Sequence, residues 1–290
     1  MRLPAGILAN HRYNNEELKM NRLGIDMMTV FGMPPAEHVK LAAELNCSHI
    51  SSGLTPVPWK LDQFPAWSLH DAGTRREMKA AMRDLGISLS VMEGFGVRPK
   101  ADARDRAADL DVTAELGAEW ASTVCMEPDL ARGYDQIAIL AELTSQRGMG
   151  LTLEFAPPHT INTLSGALTA LQIVARPNVR LVIDAMHFFR SGGTIADLAA
   201  VDPELIGYVQ LCDVPRVSDG TAYYQEACFN RKCPGESELP LRDFVRTLPS
   251  GTPIGLETPM LAEIQAGGSL TKTVGRVVAA GRQLLNHSTV

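Results

Sequence analysis

The sequence predicts an α/β chain folded as one (β/α)8 TIM barrel, and three observations carry that expectation. Eight short apolar segments alternate with eight amphipathic segments between residues 23 and 285. Strands that alternate with helices pair in parallel, in a sheet covered on its outer side, and eight such units in about 250 residues close into a barrel. Gly86, Gly117 and Gly148 each follow a helical stretch, 31 residues apart, which is the period of a strand-plus-helix unit ended by a glycine stop. Finally, no G-x-G-x-x-G turn opens a helix and no composition break divides the chain, so a doubly wound open sheet and a second domain are both disfavoured.

Element by element, residues 1–20 read as a polar leading arm and 21–290 as the barrel. Strands are expected at 23–30, 47–52, 87–92, 119–125, 150–155, 180–184, 207–212 and 253–257. Helices are expected near 34–45, 74–85, 102–116, 130–147, 163–175, 194–200, 240–248 and 270–285. Pro34-Pro35 suits the first turn of the first helix, and Thr74 with Glu77 has capping-box spacing ahead of the second. Met78, Ala81, Met82 and Leu85, like Leu164, Ala167, Leu168 and Leu171, recur at i, i+3, i+4, i+7 and give each helix one apolar face.

Composition narrows the function. The 290 residues carry 27 Lys+Arg against 33 Asp+Glu, a net charge of -6, so a general attraction to nucleic acid or anionic lipid is absent. No apolar run approaches 18 residues, and the first 20 residues lack a signal-peptide core. A cytoplasmic protein is expected. The five cysteines include no C-x-x-C pair and read as reduced thiols.

In a barrel of this kind chemistry sits where strands end. Here the fifth apolar run ends in Glu154, the sixth in Asp184, the seventh carries Gln210 and the eighth ends in Glu257. Three carboxylates converging on one point repel one another unless they are protonated or share a cation. A divalent metal is the simplest solution. A donor set made only of oxygens favours Mg2+ or Mn2+.

Those residues, in their order, resemble the xylose-isomerase-like TIM barrels of sugar isomerases and epimerases, a family that includes hydroxypyruvate isomerases and inosose and dehydroshikimate dehydratases. The resemblance spans about residues 22–285 and rests on one short motif per strand: Glu154, the Asp184-to-His187 element, VQLCDVPR around Gln210 and Arg216, Glu257, and Pro234-Gly235-Glu236-Ser237-Glu238-Leu239-Pro240, where Ser237 replaces a usual second glycine. It implies one divalent metal on Glu154, Asp184, Gln210 and Glu257, with Co2+, Ni2+ or Zn2+ as alternatives to Mn2+ or Mg2+, and with His187 and Arg216 as substrate contacts. The implied reaction is isomerisation or epimerisation of a keto-sugar or related polyol through a metal-stabilised enediolate, with Glu154 and Glu257 moving the proton. Loss of a β-hydroxyl from the same intermediate gives dehydration, the alternative reading. A homodimer or higher homo-oligomer is also implied.

Other conspicuous residues carry less. Glu93, after the third strand, reads first as a helix cap or solvent-facing group and second as a substrate contact. His11, His38, His49, His70 and His159 show no ligand spacing, Cys228 and Cys233 lack partner histidines for zinc, and Ser191 to Thr194 reads as a turn before an anion site. An apurinic-site endonuclease, a relative built on a zinc cluster, is disfavoured by the missing histidines and acidic charge. A non-catalytic polyol-binding barrel is the remaining rival.

Overall fold

A computed structural model describes residues 22–218 and 220–286. The expected leading arm, 1–20, lies outside the described residues. Eight parallel strands close on themselves in chain order: β1 Leu23–Ile25, β2 His49–Ser52, β3 Ser88–Met92, β4 Trp120–Val124, β5 Gly150–Glu154, β6 Val179–Asp184, β7 Ile206–Leu211 and β8 Ile254–Leu256. The first and last strands pair through Leu23 with Ile254 and Ile25 with Leu256, which seals the single-domain (β/α)8 barrel. The surrounding helices are α1 Pro35–Glu44, α2 Ala72–Leu85, α3 Ala107–Glu115, α4 Leu130–Ser145, α5 Leu164–Val174, α6 Ala185–Arg190, α7 Ile195–Ala199, α8 Tyr223–Phe229, α9 Leu241–Thr247, α10 Leu261–Gln265 and α11 Leu270–Asn286. None is long and apolar enough to cross a membrane.

The expected helix stops are real: Gly86, Gly117 and Gly148 adopt φ of 69°, 75° and 73°, a left-handed conformation that side chains resist. Three expectations need correction. The first strand stops at Ile25 because the chain turns into a 3-10 segment, Met27–Val30, where Thr29 Oγ1 donates to Leu256 O and accepts from Thr258 N. The second helix begins two residues early, capped by Asp71, which accepts from Thr74 N at 2.8 Å in place of the Thr74–Glu77 box. The segment 102–116 divides into a 3-10 turn, Ala103–Arg106, and α3, with Gln136 Oε1 accepting from Ala103 N at the break.

Large groups fill the barrel interior where glycine makes room. A Cβ on Gly24 would lie 2.2 Å from the His49 ring, and one on Gly150 would lie 2.0 Å from the Trp120 ring. His49 is buried, meets Tyr208 edge-on at 5.8 Å between centroids, and shares a 2.9 Å hydrogen bond with Ser48 Oγ through Nδ1. Burial pushes its pKa down to about 4, and that of buried His38 down to about 3. Both folded values lie below the ordinary value near 6.5, so between about pH 6.5 and 4 the unfolded chain binds more protons and stability falls as pH falls. For His49 alone the loss reaches about 3 kcal/mol by pH 4. Urea unfolding of His49→Gln is expected to show a flatter decline across this window than the parent; an unchanged slope would place the ring's proton elsewhere.

Candidate active site

The parallel register brings the polar strand ends to one rim. Asp184, the last residue of β6, is level with Gln210 of β7, and Gln210 is level with Gly255 of β8, two residues before Glu257. Glu154 ends β5. Asp184 is also the N-cap of α6, its Oδ1 accepting from His187 N at 2.8 Å, which turns the histidine back over the opening. His187 Nε2 then lies 3.4 Å from Glu154 Oε1. Gln210 Nε2 donates to Glu257 Oε1 at 2.9 Å, leaving its buried Oε1 without a hydrogen-bond partner among the described residues.

Two further carboxylates share this rim. Asp26, following β1, is fully buried and accepts from Tyr208 through Oδ1 at 2.6 Å, while its Oδ2 has no hydrogen-bond partner among the described residues. Glu93, following β3, accepts from Ser51 Oγ at 2.6 Å and faces a cavity of about 160 Å3 that Glu154, His187, Tyr223, Arg231 and Glu257 also line. Such a volume suits a small metabolite; drug-sized pockets run roughly 300–1,000 Å3. A larger open groove, about 760 Å3, lies between α9, α11 and residues 233–240 and holds none of the strand-end groups.

One cation is built into the cluster. The buried Arg231 guanidinium reaches Asp184 Oδ2 at 2.5 Å and Glu257 Oε2 at 2.8 Å, and its Nε donates to Ala227 O. Burial opposes ionisation of Asp184, but the charge of Arg231 and the hydrogen bonds from His187 N and the guanidinium prevail and hold its carboxyl below the usual range. The remaining acids go the other way. Burial, reinforced by neighbouring carboxylates, raises Asp26 to about 6, Glu93 and Glu154 to about 8, and Glu257 well above its ordinary value. His187 is pushed down to about 4 by burial, against the pull of Asp184. Five carboxylates thus face one arginine and a neutral imidazole, an excess of negative charge that calls for protons or a cation.

Two donor sets could each hold a divalent ion, and the expected carboxylate ligands are divided between them, Glu154 and Asp184 in one and Glu257 in the other. Glu154, Asp184 and His187 offer ligand atoms within 4.8 Å of one another, as do Asp26, Glu93 and Glu257, and the orphaned Gln210 Oε1 is the buried acceptor that a hard cation would satisfy.

Other sequence-derived candidates lie elsewhere. The Arg216 side chain is exposed and outside the cavity lining, its backbone N donating to Glu238 Oε2. The loop 234–240 is tied to the end of β7 by Asp213, whose carboxylate accepts from the backbone N of Val214, Gly235, Ser237 and Leu239. Gly235 has φ of 87°, whereas Ser237 is not among the positive-φ residues, so serine is accommodated there without backbone strain. Arg231, Tyr223 and Asp26 escaped the sequence reading. The first two belong to α8 and its exit, a seven-residue helix too short to show periodicity; Asp26 was absorbed into an overlong first strand.

Known proteins share this architecture. Residues 39–273 match the family described as the xylose isomerase-like TIM barrel. Among curated proteins, the inosose isomerase of Halalkalibacterium halodurans is 34% identical over 76 residues, 26% of this chain and 27% of that protein. The 3-dehydroshikimate dehydratase of Pseudomonas aeruginosa is 26% identical over 194 residues, 61% of this chain and 30% of that protein. In both cases the match spans under a third of the relative's length. A solved structure of the IolI protein with a binding zinc atom superposes with a TM-score of 0.76 at 16% identity, covering 92% of this chain and 98% of that one. The chain belongs to the xylose isomerase-like TIM barrel family, whose members include isomerases, epimerases and dehydratases.

Proposed function

We propose that this barrel is a divalent-metal-dependent isomerase or epimerase of a small keto-sugar or related polyol. The observation that carries the reading is the pair Glu154 and Glu257, three strands apart on one rim and lining the same small cavity beside Asp184 and Gln210. Glu154, Asp184, Gln210 Oε1 and Glu257 would hold the ion, Mg2+ or Mn2+ by their oxygen chemistry. When bound, it supplies Lewis-acid polarisation of a substrate carbonyl.

The chain's own residues do the rest. One glutamate takes the proton from the carbon beside the carbonyl and the other returns one from across the cavity, a task for carboxyls whose surroundings raise their proton affinity. His187, neutral and fixed by Asp184, faces the same space as a hydrogen-bond donor to a reacting oxygen. Arg231 holds Asp184 and Glu257 in place and offsets part of their charge. Arg216 keeps a place in the proposal only as a contact at the outer edge, since its side chain is exposed.

A second reading, dehydration of a keto-polyol, is favoured by the match of 61% of the chain to a 3-dehydroshikimate dehydratase. The test is titration with MnCl2, MgCl2 or ZnCl2 followed by unfolding, then incubation of the loaded protein with ketoses, inososes and dehydroshikimate in D2O under NMR. A bound ion at 100 times its Kd is expected to add about 2.7 kcal/mol of stability. Deuterium entering at carbon without water loss marks an isomerase or epimerase, and a new alkene or enol product marks the dehydratase. No stabilisation by any divalent ion removes the metal site; binding without turnover across the panel leaves a polyol-binding barrel.

A further inference from the structure

Helix α8 brings a phenol to the histidine. Tyr223 Oη lies 2.6 Å from His187 Nδ1, and the rings are 5.7 Å apart between centroids. Neither partner is free to drift. The His187 backbone is held by Asp184, and α8 is pinned to the end of α6 by a buried ion pair between Arg190 and Glu226 at 2.7 Å, with Arg190 also donating to Pro215 O. Burial, with the negative field of Asp184, raises the Tyr223 pKa, so the phenol keeps its proton.

We propose that Tyr223 is a positioning residue whose hydroxyl donates to His187 Nδ1, fixing the tautomer that carries its proton on Nε2, so that His187 acts as a hydrogen-bond donor into the cavity and is withheld from the metal's ligand set. The inference rests on the function proposed above and adds what sorts the histidine from the ligands.

A neutral imidazole has one N–H and one acceptor nitrogen. Were the proton on Nδ1, it would be donated to Tyr223 Oη, whose own proton would lack this acceptor, and the Nε2 lone pair would face Glu154 Oε1 at 3.4 Å. That sets acceptor against acceptor once Glu154 is ionised, as it is when it holds a cation. The opposite tautomer satisfies the two ring contacts with Tyr223 and Glu154: Tyr223 donates to Nδ1 at 2.6 Å and Nε2–H points toward Glu154, while Asp184 Oδ1, farther from Nδ1 at 3.6 Å, already accepts from His187 N. A protonated Nε2 cannot ligate a metal, even though His187 is within ligand reach of Glu154 and Asp184. The coordination set then stays all oxygen, which disfavours zinc relative to magnesium.

The test uses the full chain with 15N-labelled histidine, metal-free and Mg2+-loaded, with His187 assigned by the signal lost in His187→Asn. In the Mg2+-loaded parent protein Nδ1 is expected to give a pyridine-like and Nε2 a pyrrole-like nitrogen signal; the reverse overturns the proposal. In Tyr223→Phe the two signals are expected to move toward each other as the tautomers mix, and competition titration is expected to show zinc gaining about tenfold over magnesium, the size of effect that partners of metal-site residues exert. Unchanged ring signals in Tyr223→Phe also overturn it. Should that variant fail to fold, the parent spectrum decides the tautomer alone. Because neither readout needs turnover, an inactive substrate panel combined with the expected spectra would remove the proposed reaction and leave the positioning role standing.

Discussion

Glu154→Gln and Glu257→Gln are each expected to lower turnover about 10²-fold or more, with the fold intact. Glutamine keeps the length of the side chain and an oxygen donor but can neither take nor return a proton, and positioned acid–base groups contribute roughly 10²–10⁴-fold to such reactions. Both carboxyls border the same cavity, and both carry raised proton affinity from burial and from their acidic neighbours. Since the two act in one proton-transfer sequence, the double variant is expected to lose far less than the product of the single losses. Deuterium separates their roles. A variant lacking only the returning acid still exchanges the substrate's carbon-bound hydrogen with D2O while forming little product; a variant lacking the base does neither. Circular dichroism and metal titration of each variant check that the loss is chemical. Near-normal turnover in both variants removes the mechanism.

How much of this was legible depends on local pattern. The strand ends were readable because a polar residue closing an apolar run, one per strand, is a one-dimensional signal, and parallel register turns it into a ring at one rim. Helix stops were readable because glycine is the residue that tolerates the left-handed turn at Gly86, Gly117 and Gly148. Arg231 was not. It reaches Asp184 across 47 positions from the exit of a seven-residue helix in the long connection after β7, where neither periodicity nor register gives a direction. Arg216 was named through the resemblance of VQLCDVPR to the family's seventh strand; here the residue is exposed and its backbone N donates to Glu238. Glu93 shows the same limit in reverse. Read first as a capping or solvent-facing group, it is drawn into the cavity by Ser51. Tertiary contact decided each of these positions, so no window of neighbouring residues could have shown them.

The second large effect concerns that unforeseen arginine. Arg231→Met is expected to destabilise the metal-free protein by about 3–5 kcal/mol, because removing one partner of a buried ion pair strands the other charges in the interior. Here the stranded charge is that of Asp184, and Glu257 loses its hydrogen-bond donor; both are almost wholly buried and each is bonded to one end of the guanidinium. Methionine retains much of the side chain's apolar volume, so the loss reports charge more than packing. Arg231→Lys keeps the charge but not the planar fork that spans two carboxylates, and is expected to fall between parent and methionine variant. A dication on Asp184 and Glu257 supplies the positive charge the variant lacks. Urea unfolding in saturating MnCl2 is therefore expected to recover half or more of the deficit, so that manganese stabilises Arg231→Met by more than it stabilises the parent. An equal deficit with and without manganese would show that the ion does not bind beside those two carboxylates. The comparison thereby tests the ligand assignment through stability alone, without knowledge of the substrate.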